Sequence, residues 1–318
     1  MKKLSRPQHR IAFALGAAGV LMLGAAGRAS EEFTLDTARG AAANHDPQAE
    51  YFLARSYAQG NDVAQDYGKA LSYMQQSADQ GYAPAQTSLG SFYARGLGVT
   101  QDYSTALQWY HKAADQNDAM AEYCLGYAYA HGNGVAMDYS QAVKWWLQSA
   151  SQGQVYAENA LGGYYLHGQA DYDVTHVNYK EAFKWLQKAA DQNYVGAMNN
   201  LGYLYQYGFG TPKDWQQALK WYRRAADDGD AMAQANLAVM YESGDGVPVD
   251  RVEAFKWYSL SAEKGNAEGK HSVVLYNLNR YLTPDEFAEA SRRVSVFKEW
   301  QRTNQVDAAS ETPGDADK

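Results

Sequence analysis

Few residues of this chain have the types and spacing that catalysis requires. Ser295 and Lys298 form the Ser-x-x-Lys spacing of an activated serine nucleophile, but no supporting motif accompanies them. The only cysteine, Cys124, has no basic neighbour in the sequence placed to lower its pKa, so we expect a small buried side chain. His-Glu-x-x-His, Gly-x-Ser-x-Gly and Cys-x-x-Cys motifs do not occur. We therefore predict no catalytic residues and no enzyme activity.

The seven histidines do not form a pair at i, i+4, the spacing that places two metal ligands on one helix face. His131 and His167 each lie six residues after a recurring leucine, so stacked repeats would bring them near each other. Two imidazoles alone form a weak metal site, and we interpret both as hydrogen-bonding residues. No metal and no cofactor is therefore expected.

Cys124, His131 and His167 all belong to a repeat of 36 residues that occurs six times. Its leading leucine recurs at intervals of 36 residues, with one interval of 40, at Leu53, Leu89, Leu125, Leu161, Leu201 and Leu237. Residues suited to helix N-caps follow the same steps, at Asp66, Asp102, Asp138, Asn178, Asp214 and Asp250. Repeats of this length are typical of stacked solenoids, whose usual function is binding.

Each repeat is predicted to form two helices. In the copy from Ala83 to Asn117, apolar residues around Leu89 recur at helical spacing, and Gly96 is suited to end that helix. Asp102 is the predicted N-cap of a second helix, which carries Trp109 on its apolar face. Two copies place a glutamate three residues after the cap, which predicts capping boxes at Asn178 with Glu181 and at Asp250 with Glu253.

The recurring aromatic and small residues are interpreted as packing positions. Large side chains recur on the second helices, at Tyr73, Trp109, Trp145, Trp185, Trp221 and Trp257. Glycines on the first helices allow a neighbouring helix to approach closely, at Gly90, Gly126, Gly162 and Gly202. A ligand-binding site would be unique, whereas these positions recur from copy to copy, so we assign them to the core.

The pattern that these positions form is Ala85-Gln86-x-x-Leu89-Gly90-x-x-Tyr93-x-x-Gly96-x-Gly98-Val99-x-x-Asp102-x-x-x-Ala106-x-x-Trp109-Tyr110-x-x-Ala113-Ala114. It resembles the Sel-one-like repeat, a relative of the tetratricopeptide repeat. The resemblance implies an all-α fold, a right-handed α-solenoid of stacked antiparallel helix pairs. Six copies are predicted at about residues 46–81, 82–117, 118–153, 154–193, 194–229 and 230–265.

The two ends of the chain differ from the repeats. Residues 1–29 combine a basic start, an uncharged apolar stretch and small residues at a cleavage site, which predicts a signal peptide and a periplasmic or secreted protein. The alternative is an N-terminal anchor in the inner membrane. Residues 30–45 are predicted to form a half-repeat helix, 266–302 a half-repeat and a C-terminal capping helix, and 303–318 a disordered tail.

The charge of the chain argues against two classes of partner. Residues 1–29 carry five basic residues and no acidic one, so their removal changes the net charge from −8 to −13. An acidic chain without a basic run lacks the electrostatic footprint for nucleic acid or for anionic membranes. One cysteine cannot form an intramolecular disulfide, so packing alone must hold the fold. We expect a monomer that binds a protein or peptide.

The resemblance also implies where such a partner would bind. The inner face of related solenoids is lined by first-helix residues two before, two after, and five or six after the recurring leucine. The residues of this chain at such positions are Tyr51, Arg55, Arg95, Tyr123, Tyr127, His131, Asn159, His167, Asn199, Tyr203, Gln206 and Tyr207. The alternative is an ordinary solvated surface. A four-residue insertion before Asn178 adds Tyr172 and His176 as candidate loop contacts.

Three functions remain open from the sequence. The first is a non-catalytic, exported interaction scaffold or adaptor that binds a protein or peptide on its concave face. The second is an immunity or regulatory protein that neutralises a specific envelope-targeting toxin or enzyme. The third is a cell-wall-acting hydrolase, as suggested for a cysteine-rich branch of the family. This chain cannot form that branch's disulfides, which weakens the third function.

Overall fold

Helices account for all the regular structure in the described residues, 33–168, 177–279 and 281–310, of the computed structural model. The chain divides into two compact units at Asp138 and Tyr139. Within the described ranges, no helix combines the length and the apolar composition needed to span a bilayer. The predicted signal peptide lies outside these ranges.

The first unit contains two complete helix pairs with flanking helices. Its elements are α1 (Leu35–Ala42), α2 (Pro47–Gln59), α3 (Tyr67–Asp79), α4 (Ala83–Arg95), α5 (Tyr103–Ala114) and α6 (Ala119–His131). The pairs α2–α3 and α4–α5 stack through contacts of α3 with α4, and α6 packs on α5. The predicted half-repeat helix corresponds to α1, which packs on α2.

The second unit repeats this arrangement. Its elements are α7 (Tyr139–Ser151), α8 (Val155–His167), α9 (Tyr179–Asp191), α10 (Val195–Tyr207), α11 (Trp215–Asp227), α12 (Ala231–Ser243), α13 (Arg251–Glu263), α14 (Ala267–Asn279) and α15 (Pro284–Ser310). Successive pairs α8–α9, α10–α11 and α12–α13 stack, and both α14 and α15 pack on α13. The predicted all-α solenoid of stacked helix pairs is thus confirmed. Helix α15 continues past the predicted end at residue 302.

Helix starts and ends follow the predicted caps. Asp102 Oδ1 accepts hydrogen bonds from the backbone amides of Ser104 and Thr105, at 2.9 and 3.1 Å. The turn between the two helices contains a second glycine with a separate role. Gly98 has φ +68°, and a Cβ there would lie 2.7 Å from the carbonyl oxygen of Tyr67 in the preceding repeat. Only glycine lets this turn rest on the second helix of the preceding repeat.

The capping boxes predicted at Asn178 and Asp250 form only the bond to the cap side chain, so the prediction of a reciprocal pair is wrong. Both caps accept the amide three residues on, but Glu253 does not bond back to its cap. Its carboxylate accepts hydrogen bonds from Lys256 and Trp257 instead. The Asp250 amide is already paired, since it donates to the Tyr241 carbonyl oxygen at 2.9 Å, so the acid is left for the buried donors of the helix.

A reciprocal capping box does form at the start of α15. Glu286 Oε2 accepts from the Thr283 amide at 2.8 Å, and Thr283 Oγ1 accepts from the Glu286 amide at 3.3 Å. Pro284 occupies the first helical position, as predicted.

Aromatic residues of the second helices seat against small residues of the first. A Cβ at Gly202 would lie 2.7 Å from the ring of Tyr222, so glycine is needed for this close approach. The recurring tryptophans are buried as predicted at Trp109, Trp185, Trp221 and Trp257. The exception is Trp145, which is half-buried, while its neighbour Trp146 is 4% exposed. The residue after the tryptophan position is buried in other repeats as well, at Tyr110, Leu186 and Tyr222, so in the third repeat only the second of the two positions is buried.

Buried polar residues join the two helices of single repeats. Glu50 Oε2 accepts from Gln80 Nε2 at 2.7 Å, and Glu158 Oε2 accepts from Gln192 Nε2 at 2.8 Å. In the second repeat a glutamine replaces the glutamate as the acceptor: Gln86 Oε1 accepts a hydrogen bond from Gln116 Nε2 at 2.8 Å. Burial raises the pKa of Glu50, and its Oε1 atom has no hydrogen-bond partner.

We expect Glu50→Gln to raise the free energy of unfolding at pH 7 by about 1 kcal/mol, since an amide avoids burying a charge. A raised pKa in the folded state means that ionisation of the Glu50 carboxyl group lowers the free energy of unfolding. The gain should therefore appear as the pH rises above about 4.3, the usual value for glutamate, and vanish below it. Urea unfolding at pH 4 and pH 7 measures the difference. The control is Asp79→Asn, because Asp79 is an exposed acid that accepts a hydrogen bond from Gln75. A Glu50→Gln protein that is less stable than the unmodified protein at pH 7 would contradict the prediction.

Candidate functional site

The predicted partner-facing residues fall into three sets by their distance from the recurring leucine. The first set, two residues before it, is mostly occupied within the fold. Tyr51 is 3% exposed, and its hydroxyl lies 3.3 Å from Ser88 Oγ of the next repeat. Asn199 is buried and its Oδ1 accepts from Asn236 Nδ2 at 3.0 Å. These two residues join consecutive first helices, which leaves little of either for a partner.

The other two members of this set are also buried or half-buried. Tyr123 is buried, and Asn159 is half-buried with an Oδ1 atom that has no hydrogen-bond partner.

The second set lies two residues after the leucine and is half-buried. Burial raises the pKa of both Tyr127 and Tyr203, so each hydroxyl stays protonated at neutral pH. The Arg55 guanidinium lies 5.8 Å from the centroid of the Tyr51 ring. Its Nε atom is buried without a hydrogen-bond partner.

The third set, near the ends of the first helices, includes the most exposed residues. Arg95, His131 and Tyr207 are exposed, and the His131 ring stacks on Tyr127 with 3.9 Å between centroids. Gln206 is half-buried, and its Oε1 accepts from the Tyr222 hydroxyl at 2.7 Å.

His167 differs from the exposed members of the third set. Burial lowers the pKa of its imidazole, and its Nε2 atom has no hydrogen-bond partner. The described residues contain no group of three or more side chains suited to hold a metal ion. Tyr172 and His176 of the insertion lie outside the described residues.

A cavity of about 230 Å³ lies in the first unit between α4, α5 and α6. It brings together three of the predicted residues, Arg95, Tyr123 and Tyr127. Tyr103 and Asn133, which were not predicted from the sequence, also line it. Tyrosine recurs at the Tyr103 position, at Tyr67, Tyr139 and Tyr179, whereas the Asn133 position varies between repeats. Only the stacking of two repeats places both beside the predicted residues.

Cys124 was predicted to be a small buried side chain; it lines the same cavity and is half-buried there. Burial raises the pKa of its thiol to about 12. The thiolate is therefore scarce at neutral pH, which makes Cys124 a poor nucleophile. The cavity therefore offers no activated thiol.

A second candidate surface is an aromatic cluster in the second unit, formed by Tyr179, Tyr203, Tyr207 and Phe209. The Tyr179 and Phe209 rings are stacked at 4.5 Å, and Tyr203 and Tyr207 lie 4.7 Å apart. Tyr207 is 47% and Tyr179 36% exposed. Tyr179 and Phe209 were not predicted from the sequence. Phe209 could have been found from the residue between the two turn glycines, because this position varies among Leu97, Asn133, Phe209 and Asp245.

The six repeats of this chain match a known repeat family. The Sel1 repeat matches residues 47–82, 83–118, 119–154, 155–194, 195–230 and 231–266, each starting one residue after the predicted bound. A protective antigen of uropathogenic Escherichia coli strains, which displays an SLR fold, is 33% identical with a TM-score of 0.69. The alignment covers 83% of this chain but only 56% of that protein, so this chain spans little more than half its length.

Two further solved structures are similar. A Sel1 repeat protein from Oxalobacter formigenes is 31% identical with a TM-score of 0.64, over 77% of this chain and 95% of that one. An immunity protein from Pseudomonas aeruginosa is 21% identical with a TM-score of 0.45, over 70% of this chain and 83% of that one, which is too distant to bear on function. No curated protein matches the chain. The six repeat matches and the first two structures show that the chain belongs to the Sel1 repeat family.

Proposed function

We propose that this protein is a non-catalytic, exported scaffold or adaptor that binds a protein or peptide through its first helices and the turns that follow them. The observation that carries the proposal is the exposed aromatic cluster around Tyr207. Large aromatic side chains dominate the binding energy of protein interfaces, and they are costly to leave in water. The packing of the repeats requires the recurring aromatics, but it does not require Tyr207 at this position.

The proposal that the protein is exported rests on residues 1–29, whose composition supports export to the periplasm or beyond. The net charge of −8 supports a protein or peptide partner over nucleic acid. A narrower form of the same function is the neutralisation of one envelope-targeting toxin or enzyme. A single stoichiometric partner would favour that immunity or regulatory role, and several partners would favour a scaffold.

We expect the double substitution Tyr203→Ala and Tyr207→Ala to weaken partner binding at least tenfold, because buried aromatic anchors commonly contribute about 2 kcal/mol or more each. A photo-crosslinking amino acid at position 207 should first identify the partner in cells, by mass spectrometry. Binding of that partner to the variant is then measured by calorimetry. Asn199 is left unchanged, because its bond to Asn236 makes any loss at that position ambiguous.

The matched control is Trp300, an exposed aromatic residue on α15 with 46% of its surface accessible. A crosslinker at 300 should not capture the same partner, and Trp300→Ala should bind it as tightly as the unmodified protein does. Equal capture from positions 207 and 300 contradicts the proposed surface. Circular dichroism confirms that the variants remain folded.

A further inference from the structure

We propose that the cavity between α4, α5 and α6 binds an aromatic or large aliphatic side chain from an acidic segment of a partner protein, with a neighbouring Asp or Glu paired to Arg95. This inference rests on the proposed function and names the chemistry of the segment recognised. It concerns the first unit alone, and the aromatic cluster of the second unit is a separate surface.

The size and the lining of the cavity set the kind of side chain. An apolar cavity of roughly 150 Å³ is large enough to hold a benzene ring. The volume of about 230 Å³ found here therefore accepts a phenylalanine, leucine or methionine side chain. Rings of Tyr103, Tyr110 and Tyr127 line it, and Ala94, Ala106 and Ala128 keep its walls short. Edge and face contacts with tyrosine rings favour an aromatic occupant.

The charge of the adjacent residue follows from Arg95. This guanidinium lines the cavity, is exposed, and takes part in none of the ion pairs among the described residues. By contrast, Arg39 and Lys69 of the same unit pair with Asp36 and Asp66. An arginine without a partner in an acidic chain, beside an apolar cavity, is placed to bind a carboxylate.

A comparison between repeats explains why the cavity is open at this position. In the fifth repeat, Phe209 occupies the middle of the glycine turn and stacks on Tyr179, at 4.5 Å. The corresponding residues here are Asn133 and Tyr103, and the shorter Asn133 lines the cavity instead of filling it. Asn133→Phe should therefore close the cavity with a turn sequence that the chain already uses elsewhere, Gly208 to Gly210.

Three blocked pentapeptides test the proposal with the full-length protein: Gly-Glu-Phe-Glu-Gly, Gly-Lys-Phe-Lys-Gly and Gly-Glu-Ala-Glu-Gly. Titrations followed by nuclear magnetic resonance give each dissociation constant. We expect the first peptide to bind at least about tenfold more tightly than either of the others, because burial of the ring and the carboxylate contact each contribute. The net charge of −8 attracts the lysine peptide, so a preference for glutamate requires a local cation.

The variants separate the two parts of the site. Asn133→Phe should abolish binding of the first peptide, and Asn133→Ser should retain it. Arg95→Ala should weaken the first peptide about tenfold without weakening the lysine peptide. Arg95 is exposed, so this variant remains informative even if Asn133→Phe impairs folding. Tighter or equal binding of the lysine peptide, or binding that survives Asn133→Phe in a folded protein, overturns the proposal. Capture of a partner through Tyr207 together with failure of all three peptides would reject this inference alone.

Discussion

Replacement of Trp257 by alanine is expected to lower the free energy of unfolding by about 3 to 5 kcal/mol. Trp257 has no solvent exposure, and its ring lies 5.0 Å from that of Phe297 on the capping helix α15. Its indole Nε1 donates a hydrogen bond to Glu253 Oε1 at 2.9 Å. Truncation therefore leaves a cavity between α13 and α15 and removes one donor from a buried carboxylate.

Urea unfolding monitored by circular dichroism measures this loss. Trp300→Ala is the matched control, since the same side chain on α15 is 46% exposed and should cost much less. Two results would contradict the assignment of Trp257 to the core. One is a loss below about 1 kcal/mol, and the other is an equal loss for both variants.

Removal of the Glu253 carboxylate by Glu253→Ala is expected to cost a similar amount, about 3 to 5 kcal/mol. Its two oxygens accept hydrogen bonds from Lys256 Nζ at 2.8 Å, Trp257 Nε1 at 2.9 Å and Arg293 Nη1 at 2.9 Å. The Lys256 side chain is only 9% exposed. Without Glu253, a buried ammonium group loses its hydrogen-bonded counterion, and Arg293 of α15 loses its ion pair with this residue of α13.

The same interaction should make stability depend on pH. Burial alone would raise the pKa of Glu253, but hydrogen bonds from Lys256 and Arg293 outweigh it, and the pKa is lowered. A lowered carboxylate pKa stabilises the folded state above about pH 4.3, the usual value for the unfolded chain, and this contribution is lost as the pH falls through the folded value. The difference between the protein and Glu253→Ala should therefore shrink below pH 4.

An exposed ion pair on the same helices provides the control. Glu263 lies 2.6 Å from Lys298 Nζ, but the two side chains are 51% and 40% exposed. Glu263→Ala should cost less than about 1 kcal/mol, because water screens surface pairs. Denaturant unfolding at pH 7 and pH 3.5 compares the two variants. Comparable losses for Glu253→Ala and Glu263→Ala at pH 7 would show that the buried network adds nothing.

Part of the candidate site was predictable from spacing, and the reason is geometric. Tyr203 and Tyr207 lie on one face of a single helix at i, i+4, so the sequence alone places them together. Phe209 and Tyr179 belong to different repeats, and their stacking depends on the turn of one repeat resting on the second helix of the previous one. Tyr51 and Asn199 were predicted at the surface, but the close approach of consecutive first helices buries them.

The sequence by itself determined the repeat, the family, the helix pairs and most of the core, because these depend on local periodicity, caps and glycines that recur in every copy. Contacts between copies were decided only by the tertiary structure. Stacking joined Arg95, Tyr123 and Tyr127 with Tyr103 and Asn133 around one cavity, and it turned Glu253 from a predicted capping residue into the acceptor of a buried network. Both outcomes depend on which unlike side chains meet when similar helices pack, and this information is not contained in any single repeat.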